Sequence, residues 1–60
     1  MLRTSEVIIA HPEIDDFEEF ILAFKVVAKH STERFLKMDV KPDYGNTPEN
    51  WEDRIEAAFY

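Results

Sequence analysis

The chain has 60 residues, no cysteine and a formal charge of −6, from 13 acidic against 7 basic side chains. Those figures exclude a disulfide framework and a thiolate metal site, and they disfavour direct contact with nucleic acid or an anionic membrane, because like charges repel. At 45% hydrophobic and 13% aromatic, the composition is that of a folded chain, since disordered segments are poor in these groups. One small domain spanning residues 1–60 is expected, and a marginal one: a core of this size rarely contributes more than ~3–5 kcal/mol. Packing quality or association must supply the rest of its stability.

The opening stretch, MLRTSEVIIAHPEIDD, has a short apolar run followed by acids. It lacks the basic start, longer apolar stretch and small-residue cleavage site of a secretory signal. The run Phe20 to Phe24 is far short of the ~20 apolar residues of a membrane helix. With no cysteine to oxidise, a reducing compartment fits, and the cytoplasm is the expected location.

Ser5 to Ala10 is ambiguous. The β-branched Val7-Ile8-Ile9 favours a strand, whereas Pro12 also suits the stop of a short helix. The clearest periodicity follows. Ile14, Phe17, Ile21, Phe24, Ala28, Ser31, Phe35 and Met38 recur in alternating steps of three and four, one stripe on a helix. Phe20 and Val27 widen that stripe, and Leu22, Ala23 and Val26 extend beyond it. Pro12 is expected in the first helical turn, where its missing N–H costs nothing. Glu13, Asp15, Asp16, Glu18 and Glu19 crowd the front, and Lys25, Lys29, Arg34 and Lys37 the rear, which complements the helix dipole at both ends.

An unbroken helix from 13 to 38 would run about 39 Å, at ~1.5 Å per residue. A compact globule of this length has a radius of gyration of only ~10 Å. The helix must therefore break or project, and the expected break is His30-Ser31-Thr32, where hydroxyls offer the backbone competing hydrogen bonds. Beyond it, Leu36-Lys37-Met38-Asp39-Val40-Lys41 alternates apolar and polar, the pattern of an amphipathic strand. The segment from Lys41 to Asn46 is a turn, marked by Pro42, Asp43, Gly45 and Asn46. Thr47 then reads as the N-cap of a second helix, with Pro48 at its first position and Trp51, Ile55, Ala58 and Phe59 as its apolar face.

The expected fold is mainly α: a small helical mini-domain with one long helix, from about 13 to 30–38, and one short helix, 47 to 59. The alternative is α+β in the order β-α-β-α, if both ambiguous segments are strands.

Candidate chemistry is thin. Asp15, Glu18 and Glu19 share a helix face, and oxygen ligands suit magnesium or calcium. A calcium loop needs acids at alternate positions around a central Gly, which is absent, so these acids read as complement to the helix dipole. His30 and Glu33 are three apart, but in reverse order to the Glu-x-x-His of carboxylate bundles and without the other acids such a site needs. Ser5 and Ser31 sit in no nucleophile turn, and no Gly-rich loop is present to cradle phosphate. No catalytic residue, metal or cofactor is expected.

Two features point instead to association. The aromatic set Phe17, Phe20, Phe24, Phe35, Trp51 and Phe59 reads mostly as core, but the apolar arc of the first helix is wider than one short partner helix covers. Trp51 and Ile55 are expected on the long helix, with Phe59 or Tyr60 free to reach another chain. The acids spaced along both helices also resemble a row of phosphates. The expected function is therefore a small, acidic, non-enzymatic protein-binding module, such as a phage- or plasmid-type inhibitor that occupies a partner's basic surface, nucleic-acid mimicry included. Asp15, Glu19, Trp51, Glu52, Asp53 and Tyr60 are its candidate binding residues. The alternative is a self-associating helical module or accessory subunit, a homodimer along the long stripe, in which Ser31 would mark the register.

Overall fold

The computed structural model describes all 60 residues. In chain order they form β1 (Leu2–Arg3), α1 (Thr4–Ala10), α2 (Phe17–His30), β2 (Leu36–Lys37) and α3 (Trp51–Phe59). Half of the chain is helical, and the two strands form a minimal parallel pair, Leu2 opposite Leu36 and Arg3 opposite Lys37. The fold is thus mixed: predominantly α with a minor β element, in the order β-α-α-β-α. The Cα radius of gyration is 10.3 Å, so no helix projects from the globule.

The long helix stops where its hydroxyls compete. α2 ends at His30, and Ser31 adopts an extended conformation with φ −91° and ψ 147°. Its Oγ accepts the Glu33 amide at 2.9 Å, a local turn that takes the place of another helical bond. The start differs from expectation. α2 begins at Phe17, and Pro12 lies in a turn closed by the Ile14 amide donating to the His11 carbonyl at 3.2 Å. The stronger cap lies further along: the Asp16 carboxylate accepts the amides of Glu18 at 2.7 Å and Glu19 at 3.2 Å. A carboxylate that satisfies two orphan N–H groups sets a helix start more firmly than a proline that merely tolerates one.

The first ambiguous segment is helical, and the strand lies just before it. Arg3, at the N-cap of α1, makes no side-chain capping bond. The cap comes from across the fold. Asp39 accepts the Ser5 amide at 3.2 Å and the Ser5 hydroxyl at 2.6 Å. Beside it, the fully buried Thr4 donates its Oγ1 proton to the Val40 carbonyl at 2.7 Å and accepts the Val40 amide at 3.3 Å. This clasp overrides the β-preference of Val7-Ile8-Ile9, and Val7 points into the core while Ile9 stays 77% exposed.

It also limits β2. The alternation over 36–41 has the expected phase, with Leu36 and Met38 against the core, but only Leu36 and Lys37 find a ladder partner. β1 turns into helix after Arg3, so nothing remains to pair with. Phe35, on the opposite side of the strand from Leu36, is 70% exposed. Its expected place on the helical stripe is lost with the break at Ser31.

The second helix starts later than expected. The Thr47 hydroxyl donates to the Pro42 carbonyl at 2.6 Å and accepts the Tyr44 amide at 2.9 Å. It closes the 42–47 loop and caps nothing. Asn50 takes the N-cap position of α3, without a side-chain bond, and Pro48 lies before the helix.

The core comprises Leu2, Val7, Phe17, Phe20, Ile21, Phe24 and Ile55. Phe20 is its centre, with ring centroids 6.2 Å from Phe17, 5.9 Å from Phe24 and 5.9 Å from Tyr44. Ile55 is the one fully buried residue of α3, and Trp51, Ala58 and Phe59 pack around it as the sequence periodicity anticipates.

Candidate functional site

The relative direction of α2 and α3 determines what the surface presents. Near the start of α2, Glu18 forms a bidentate pair with Arg54, at 2.6 and 3.1 Å. The Arg54 guanidinium also lies over the Phe17 ring, 5.5 Å from its centroid, a cation–π contact. One turn or more further along both helices, Phe24 meets Phe59 at 6.4 Å. Contacts therefore advance together along both helices, which run away from a common end.

The loop before α3 fixes that end. Asn46 Oδ1 accepts the Phe17 amide at 2.9 Å, and its Nδ2 donates to Asp16 at 3.2 Å. One asparagine thereby satisfies an orphan amide of α2 and orients the carboxylate that caps two more.

Each helix carries acids in its first turn, where the dipole favours them. Because both helices begin at the same end, these acids add. Asp15, Asp16, Glu18, Glu19, Glu49, Glu52 and Asp53 gather there, with Arg54 as the one base among them. The first-turn acids Glu18, Glu19, Glu52 and Asp53 are exposed, as are Asp15 and Glu49. Amide donation from Glu19 and then Glu18, with help from Asn46, holds the Asp16 carboxyl below its usual value. The Arg54 guanidinium does the same for Glu18, and Glu18 in turn raises Arg54. These carboxylates are ionised at neutral pH. The bases Lys29 and His30 lie in the last turn, at the other end of α2.

Of the six candidate binding residues, four share this acidic end: Asp15, Glu19, Glu52 and Asp53. Trp51 starts α3 at the same end, but it is half-buried and packs against the core. Tyr60 sits at the opposite end of α3, 82% exposed, its ring edge-on to Phe59 at 4.9 Å. No group of three acidic or histidine side chains converges to hold a metal ion. The surface forms no pocket, and no helix is long and apolar enough to cross a membrane.

Sequence reading missed two polar anchors. By sequence Asp39 is only the polar half of a strand alternation, yet it caps α1 from 34 residues away. Its carboxyl is lowered to about 2, first by the Ser5 hydroxyl and then by the Ser5 amide and Thr4. By sequence Asn46 is only a turn residue. Neither role leaves a local signal, because each partner is about 30 residues distant. Comparison with protein-family models, curated proteins and solved structures finds no match for this chain.

Proposed function

We propose that this chain is a small, acidic, non-enzymatic protein-binding module that docks its acidic end onto a basic surface of a partner protein. One observation carries the reading: α2 and α3 start at the same end, so two first turns of carboxylates merge into a single patch in which only Arg54 is basic. Such a patch attracts a cationic surface, raises the encounter rate and weakens as salt screens it. A protein groove that normally holds a nucleic-acid backbone is a surface of this kind, and there the carboxylates would stand in for phosphates. Occupying that groove would make the module an inhibitor, without any chemistry of its own. The cytoplasm is the proposed setting.

The test compares two baits in the native host's extract: the wild-type protein and a variant carrying Asp15→Asn, Glu19→Gln, Glu52→Gln and Asp53→Asn. All four positions are exposed, so the variant keeps its core. The reading expects a basic protein retained by the first bait, released by salt, and lost from the second. Equal retention by both baits would end it.

A further inference from the structure

The core-facing stripe of α2 is covered, but the opposite face is not. Around the helix, at ~100° per residue, Leu22 and Val26 lie about 150° and about 170° from the centre of the buried face formed by Phe17, Phe20, Ile21 and Phe24. They are 63% and 58% exposed. With Glu19 and Lys29 they make a second stripe along α2, in steps of three, four and three, the spacing of a two-helix seam. This stripe is distinct from the Ile14-to-Met38 stripe, most of which the fold packs in or against its core.

The charges along this stripe indicate what covers it. Glu19, Lys25 and Lys29 belong to none of the chain's ion pairs, which join the Met1 ammonium to Glu33, Arg3 to Glu6, His11 to Glu13 and Arg54 to Glu18. A two-fold axis beside the midpoint between Leu22 and Val26 would bring a second α2 alongside, running the other way. Leu22 would then meet Val26 of the second copy, and Val26 its Leu22. At each end of this apolar centre, Glu19 would face Lys29 of the second copy, with Glu18 and His30 flanking the same contact. Acid precedes the apolar pair and base follows it, so an antiparallel mate complements the stripe, whereas a parallel mate would set acid on acid. Lys25 lies near the axis on one side, where its flexible stem lets the ammonium turn into water.

We infer that the outer face of α2 is a homodimer seam, in which Leu22 and Val26 of one copy pack against Val26 and Leu22 of a second, antiparallel copy between reciprocal Glu19–Lys29 pairs. One helix face is small beside the ~1,200–2,000 Å² of a standard interface. The dimer is therefore weak, with a dissociation constant on the order of 100 μM. The seam takes up Glu19 of each acidic end, while Glu52 and Asp53 lie on α3, which packs against the buried face of α2 and so away from the seam. The inference stands independently of any basic partner.

Sedimentation equilibrium across about 10 μM to 1 mM tests it. The wild-type protein should pass from monomer to dimer, and Leu22→Asp or Val26→Lys should hold it monomeric with an unchanged far-UV spectrum. By symmetry each charge reversal acts twice. Glu19→Lys and Lys29→Glu should each weaken the dimer about ten-fold, and the double variant should restore it to within about three-fold. A wild-type monomer at 1 mM overturns the inference. So does a dimer indifferent to Leu22→Asp, a double variant no better than the singles, or a monomer whose Leu22–Val26 face is covered by a different protein.

Discussion

Replacing Ile55 tests the joint that sets α3 against α2 and so gathers the acids at one end. Ile55 is fully buried and is the one residue of α3 with no exposure. Ile→Val removes one methylene and typically costs about 0.5–1.5 kcal/mol, whereas Ile→Ala costs about 2–5 kcal/mol because a cavity remains. A core of this size contributes only ~3–5 kcal/mol in total. Ile55→Val should therefore stay folded, with its urea midpoint lowered by about 1 M, given a slope near 1 kcal/mol per M for so small a chain. Ile55→Ala should lose most of its stability and be partly unfolded in buffer. The fluorescence of Trp51, the only tryptophan, follows the transition from within α3 itself. Far-UV circular dichroism follows all three helices, and the two signals should coincide. Leu22→Ala is the control, because Leu22 points away from the core, and its effect should stay within about 0.5 kcal/mol. These runs belong at a few micromolar, where a weak dimer is dissociated. A loss below about 1 kcal/mol for Ile55→Ala would refute the reasoning, since it would mean that α3 is not seated on the core through this side chain.

Other consequences follow from the polar anchors. The Asp39 carboxyl sits at about 2, below its ordinary 3.8. A folded value below the unfolded one means that its contribution is fully present above pH ~4–5 and is lost as pH falls toward 2. Asp39→Asn should thus lower the urea midpoint at pH 7, and the gap to wild type should close by about pH 2; coincident midpoints at pH 7 would count against the clasp on α1. Asp16→Ala should speed hydrogen exchange at the amides of Glu18 and Glu19, and Asn46→Ala at the amide of Phe17, whereas unchanged protection would show that those amides have other partners. Arg54→Gln removes the only base at the acidic end and releases Glu18. It should raise the association rate with a cationic peptide and steepen its salt dependence, and stopped-flow mixing at two ionic strengths reads both.

Much of this fold can be read locally. The break at Ser31, the buried set of Phe17, Phe20, Phe24 and Ile55, and the charge gradient along α2 all arise from spacing and from side-chain chemistry within one turn. What could not be read depends on partners distant in sequence. Val7-Ile8-Ile9 carries strand propensity, but Asp39 and Val40 hold Thr4 and Ser5 as a helix start, so a contact over some 35 residues determines a local conformation. Thr47 is a plausible cap by type, yet its hydroxyl is spent on Pro42 and Tyr44, and α3 starts later. Phe35 fits the helical stripe by counting alone and loses its place once the chain leaves the helix.

The candidate site divides the same way. That Asp15, Glu19, Glu52 and Asp53 belong to two acidic first turns is plain in the sequence. That the two turns lie at one end depends on the direction of α3, which Asn46, Arg54 and Phe59 set through contacts with α2. No periodicity encodes that direction. In the sequence Leu22 and Val26 are only surplus apolar residues, because which face of α2 is buried depends on the contacts of α1 and α3.

A single titration tests the acidic end most directly: an octalysine peptide added to isotope-labelled protein, with amide shifts followed by NMR at low salt and again at about 0.5 M, where screening is nearly complete beyond contact distance. Shifts concentrated at residues 15–19 and 49–53, and abolished by the salt, are the predicted result. Shifts centred on residues 25–34, shifts spread evenly over the chain, or no binding at low salt would contradict a merged acidic patch.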